Sequence, residues 1–63
     1  MTDFDFWPTA EQVCTPKELE VLKYMAGGLG YRRIARKLGI SPEAVRGRYE
    51  RAERKIKAAK EAA

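Results

Sequence analysis

The sequence predicts an all-α domain of three helices, or four if one short turn near the N-terminus is counted, with the last helix long. Three observations predict it. Helix starts containing proline stand at Thr15-Pro16-Lys17-Glu18 and at Ser41-Pro42. Glycine stops stand at Gly27-Gly28 and at Gly39. Nothing alternates apolar with polar over a useful length, since Asp3-Phe4-Asp5-Phe6 is too short to form a sheet alone.

Residues 1–14 form an acidic, aromatic arm. Thr9-Ala10-Glu11-Gln12 fits a capping box within it, which predicts one turn of helix before Cys14. The first full helix then opens on a second capping box, Thr15 with Glu18, and Pro16 takes the first helical position, where its missing N–H costs nothing. Cys14 and Leu19 occupy the staple positions flanking this cap, so a packed structural thiol is the preferred reading of Cys14. Leu19, Leu22, Met25 and Ala26 recur at helical spacing, with Glu18, Glu20 and Lys23 on other faces. The next segment, from Tyr31 to Leu38, sets Ile34, Ala35 and Leu38 on one side and Arg32, Arg33, Arg36 and Lys37 on the others. Gly39 ends it, and Ile40 plugs back into the core. From Pro42 the chain meets no breaker after Gly47, so the last helix runs to about residue 60, roughly 28 Å at about 1.5 Å per residue.

The composition bounds the function. With 63 residues there is room for one small core, which disfavours an enzyme with a deep active site. There is no His, and no nucleophile and base can be paired, so no catalytic residues, metal or cofactor are expected. A single Cys, an acidic N-terminus and the lack of an apolar run of ~20 residues point to a cytoplasmic protein without a membrane segment. The net charge of +4 conceals an asymmetry: Asp3, Asp5 and Glu11 stand in the arm, while all 13 Lys and Arg follow it. A basic body of this kind suits a polyanionic partner.

The two short helices joined by a glycine turn, the second opened by Ser-Pro, describe a helix-turn-helix. Ala35 is small where the helices approach, Gly39 follows four residues later, and Val45 anchors the second helix six residues after that. Ile34, Leu38, Ile40 and Tyr49 complete the apolar set. The helix from Pro42 is then the recognition helix, with its N-terminal part in the major groove.

Thr15-Pro16-Lys17-Glu18-Leu19-Glu20-Val21-Leu22, Gly28-Leu29, the run from Ile34 to Pro42, and Val45-Arg46 resemble the LuxR/GerE-type DNA-binding domain. They are also similar to the related C-terminal helix-turn-helix of sigma factors. The resemblance covers roughly residues 14 to 57 and implies sequence-specific DNA binding in transcription, in a bacterium or bacteriophage. Gly30 departs from it where a Ser, Thr or Asn cap is common, and Gly47 lies inside the recognition helix, where it costs about 1 kcal/mol relative to Ala.

The candidate base contacts are Pro42, Glu43, Arg46, Gly47 and Glu50. Arg46 leads them, because a guanidinium can meet O6 and N7 of guanine together. Glu43 either accepts from a cytosine amino group or simply favours the helix dipole. Gly47 would let the helix lie close to a base edge or thymine methyl. Glu50 is also placed to pair with Arg54, and Glu53 with Lys57, each at i, i+4. Arg32, Arg33, Ser41, Arg48 and Arg51 are the candidate phosphate contacts, which position without reading sequence.

Two features stay open at this level. Val45, Tyr49, Ala52, Ile56, Ala59 and Ala63 make a heptad seam; its end, Ile56, Ala59 and Ala63, either joins two copies as a homodimer or packs on the chain's own arm. Phe4, Phe6 and Trp7 either fold back to enlarge the core or anchor a protein partner such as RNA polymerase. Beside a transcriptional regulator, the alternatives are a sigma-like adaptor that binds polymerase or another protein, and a DNA-packaging or recombination accessory.

Overall fold

The computed structural model describes residues 6–62. Four helices follow one another: α1 (Phe6–Val13), α2 (Pro16–Ala26), α3 (Tyr31–Leu38) and α4 (Pro42–Ala62). The described residues contain no strand, as the sequence predicts. Helix α4 packs against all three of the others, and α2 also touches α1 and α3.

The expected caps form with local chemistry alone. Thr15 Oγ1 accepts from the backbone N–H of Glu18 at 3.3 Å, and Glu18 Oε1 accepts from the N–H of Thr15 at 3.0 Å. At the other end of α2 the chain turns on Gly28, whose φ of +94° is a left-handed value that glycine adopts without strain. There the N–H of Gly28 reaches the carbonyl of Met25 and that of Leu29 reaches Tyr24, which gives two carbonyls of the last turn their partners.

The core has two parts, and α2 lies between them. Val21, Ile34, Ala35 and Val45 are buried together where α2, α3 and the first half of α4 meet. Ala10, Cys14, Leu22, Ala52 and Ile56 form the second part, where α1 and α2 meet the later turns of α4. Tyr49 packs against both. The long helix is therefore held along its length, its first half by the helix-turn-helix partners and its later turns by α1.

Several expectations are corrected here. Helix α1 begins at Phe6 and runs two turns, so Thr9 sits inside it and is not the cap of a later turn. On α2, Val21 is fully buried and Ala26 exposed, while Glu18, assigned to another face, is only 5% exposed. The reason is that α2 is covered from two sides, so adjacent Val21 and Leu22 both point into core. Of the two readings left open for the end of the seam, packing on the chain's own arm is the one seen for Ile56, which α1 covers together with Ala10 and Cys14. That leaves half-buried Ala59 as the only described residue of the expected dimer stripe without a core position, and Ala63 lies outside the described residues. The arm does fold back, but through Ala10, Val13 and Cys14. Phe6 and Trp7 remain 41% and 37% exposed and stack edge to face on each other at 4.8 Å. Phe4 lies outside the described residues.

Candidate nucleic-acid interface

The turn between α3 and α4 sets the angle between the two helices. Gly39 takes the left-handed conformation at φ 69°, ψ 34°, and the N–H groups of Gly39 and Ile40 both close on the carbonyl of Ala35. A side chain at Gly39 would meet no neighbour, so the constraint is the backbone conformation itself. Ser41 then caps α4, its Oγ accepting from the N–H of Ala44 at 3.1 Å. With Ile40 half-buried and Val45 fully buried on either side of this cap, the first turn of α4 is clamped to the core and its opposite face looks out.

That outward face carries Glu43, Arg46 and Glu50, all exposed, with half-buried Gly47 among them. Pro42 is exposed at the helix start. Beside it, α3 offers Arg32, Arg33, Arg36 and Lys37, all exposed and without an acidic residue in the helix. Arg32 and Arg33 were the sequence candidates; Arg36 and Lys37 extend the same basic surface. Ser41 is exposed as well, and Arg48 is half-buried. Helix α3 starts at Gly30 on backbone hydrogen bonding alone, Ile34 donating to the Gly30 carbonyl at 3.1 Å, with no side chain capping it.

The ion pairs differ from those the spacing suggested. Glu50 accepts from Nε of Arg46 at 3.1 Å instead of pairing with Arg54. Glu53 accepts from the hydroxyl of Tyr49 at 3.2 Å instead of pairing with Lys57. Burial, aided by the Glu53 carboxylate, pushes the Tyr49 phenol above its ordinary pKa. Arg51 turns to α2, with Nε 3.8 Å from Glu18, although its side chain stays 59% exposed. Lys55 reaches the same carboxylate. Sequence reasoning marked Glu18 as a cap, but its two cationic partners lie over thirty residues away and carry no local signal.

Among the described residues, no group of three or more His, Cys, Asp and Glu could hold a metal ion, and no helix is long and apolar enough to cross a membrane. The face built by α3 and α4 exposes Arg32, Arg33, Arg36 and Lys37 beside Glu43, Arg46 and Glu50. The GerE family model, for bacterial regulatory proteins of the luxR family, matches residues 12–63. The chain belongs to the luxR family of bacterial regulatory proteins. The match starts in the last turn of α1 and includes α2, α3 and α4 whole, so this luxR-family domain has the helix-turn-helix of a DNA-binding transcription regulator. No curated protein and no solved structure matches it significantly.

Proposed function

We propose that this luxR-family domain is a sequence-specific regulator of bacterial or bacteriophage type that lays the first half of α4 in the major groove. The observation that carries this reading is the pairing of faces on that half helix. Val45 is fully buried, while Glu43, Arg46 and Glu50 project from the other side, next to the uniformly basic α3. A helix anchored in this way can enter a groove without giving up its core.

Arg46 reads guanine, Pro42, Glu43 and Gly47 lie against neighbouring base edges, and Glu50 faces the groove with them. Arg32, Arg33, Ser41 and Arg48 contact phosphates and fix the register. Arg51 divides its charge between Glu18 and the backbone of the DNA.

Binding to duplex DNA measured against salt tests this. Affinity is expected to fall steeply as salt rises, because each neutralised phosphate releases counterion. Arg33→Ala is expected to weaken all sequences alike and to lower the salt slope by about one, whereas Arg46→Ala flattens the preference among sequences. Flat salt dependence, or no retention on duplex at low salt, rejects the reading.

A second contact is favoured by the exposed Phe6 and Trp7 pair, which the core leaves uncovered. Its reading is a protein contact made from DNA, with polymerase as the natural candidate for a regulator. Trp7→Ala is expected to leave duplex affinity unchanged and to alter transcription from a promoter carrying the selected site; no change in transcription removes this contact.

A further inference from the structure

We infer that Glu50 acts as a positioning residue that holds the Arg46 guanidinium for end-on readout of one guanine, an inference that rests on the major-groove reading above. Glu50 Oε2 accepts from Arg46 Nε at 3.1 Å, and the two side chains are 66% (Arg46) and 49% (Glu50) exposed. As a device for stability this pair is poor. Exposed ion pairs contribute little. On a helix, the order of cation first and carboxylate four residues later is also the weaker of the two. Arg54 lies four residues beyond Glu50 in the stronger order, yet Glu50 turns the other way, towards the N-terminal half that enters the groove.

The geometry has a clear consequence for recognition. A guanidinium carries five N–H donors in a rigid planar fork, one on Nε and two on each terminal nitrogen. With Nε taken by Glu50, the two terminal nitrogens remain, and they form the end of the fork that can meet O6 and N7 of one guanine together. The carboxylate also neutralises Arg46 locally. A neutral pair is drawn less strongly to the phosphates on either side of the groove, so the arginine is kept for the base edge. Gly47 beside it adds no side chain to hold the base plane off: a Cβ there would meet only Nη1 of Arg51, at 3.8 Å.

The test is selection from a duplex library with a randomised centre, using the full chain as wild type, Glu50→Ala, Glu50→Gln and Arg46→Ala. Circular dichroism checks that each variant keeps its helix content, which is expected because both positions are exposed. Wild type is expected to enrich guanine at one position by about tenfold or more, and Arg46→Ala to abolish that enrichment. Glu50→Ala is expected to reduce it to about threefold or less while raising affinity for the unselected library, since a negative charge facing the phosphates is gone. Glu50→Gln, which keeps an acceptor oxygen, is expected to retain part of the preference. Guanine enrichment that Glu50→Ala leaves intact overturns the inference and leaves the recognition reading standing. So does a loss confined to a cytosine position that Arg46→Ala does not affect, because Glu50 is then itself the reader. A wild type without enrichment, or enrichment indifferent to Arg46→Ala, overturns the major-groove assignment and this inference with it.

Discussion

Lys55, in the second half of α4, sets its ammonium 2.9 Å from Oε1 and 3.2 Å from Oε2 of Glu18, a residue of the first turn of α2 that is only 5% exposed. The same carboxylate closes the capping box with Thr15. One side chain thus starts α2 and ties it to α4. Burial alone raises the Glu18 pKa, but the hydrogen bonds from Lys55 and Thr15 and the charges of Lys55 and Arg51 outweigh it and hold the carboxyl below its ordinary value.

A pH dependence of stability follows. A depressed carboxyl contributes fully above its unfolded pKa of about 4.3 and loses that contribution as pH falls through the lower, folded value. Glu18→Gln keeps the shape and removes the charge, so it is expected to cost about 1–2 kcal/mol near neutral pH, a figure kept small because Lys55 is partly exposed. Urea unfolding of both proteins between about pH 7 and pH 3 checks it, the two curves converging at the acid end. A constant gap across that range would mean that the charge is not what Glu18 contributes.

Ile56 is 7% exposed in the core part shared by α1, α2 and α4. Ile56→Ala is expected to cost about 2–4 kcal/mol. For a chain of this size total stability is roughly 3–9 kcal/mol, so the loss is a large share of it and the variant should melt at a markedly lower temperature. Sedimentation together with thermal melting distinguishes this from loss of a dimer. A folded Ile56→Ala whose only change is a lower mass would restore the homodimer seam through Ile56, Ala59 and Ala63.

What was legible in the sequence was local. The Thr15–Glu18 box, the Ser41 cap and the glycine turns are each decided within a few residues, and each forms as read. Exposure of Glu43, Arg46 and Glu50 followed from the helical spacing that buries Val45. Choices that depend on which element covers which were not legible. A heptad seam cannot say whether Ile56 meets a second copy or α1, and Glu50 has a cation four residues away on each side. For helix α1 the sequence offers two capping-type residues, Asp5 just before Phe6 and Thr9, and the start at Phe6 is the one that sets Ala10 against Ala52 and Ile56. The burial of Glu18 depends on Lys55, which only the folded chain brings near.

Gly30 opens α3 in an extended conformation, φ −85° and ψ 173°, with no side-chain cap and with open space where a Cβ would stand. Ser prefers this backbone position and can accept from a free N–H of the first turn. Gly30→Ser is therefore expected to stabilise the domain by a few tenths of a kcal/mol, read as a higher urea midpoint with unchanged slope. A lower midpoint would mean that the start of α3 needs a conformation other than the one observed.

Cys14 is a free, buried thiol with Sγ 3.9 Å from the carbonyl of Ala52. Burial and the nearby Glu18 carboxylate raise its pKa, against a smaller opposing effect of Lys55. The thiolate is the reactive form, so a disulfide reagent should label the native protein slowly near neutral pH and quickly in urea. Fast labelling without denaturant would indicate that α1 leaves α4 readily, since it is their contact that covers the sulfur.

At Gly47 the cost to folding can be measured apart from the proposed contact with DNA. It stands inside α4, where glycine costs about 1 kcal/mol relative to alanine. Nothing among the described residues requires it, because a Cβ would meet only the Arg51 guanidinium, at 3.8 Å. Gly47→Ala is therefore expected to raise stability by about 1 kcal/mol, measured by urea unfolding. If the missing side chain makes room for a base edge, the same variant should bind its selected duplex several-fold more weakly while its affinity for unselected DNA is little changed, because phosphate contacts are untouched. A Gly47→Ala protein that is both more stable and equally selective would remove Gly47 from the interface and leave its glycine without a structural reason.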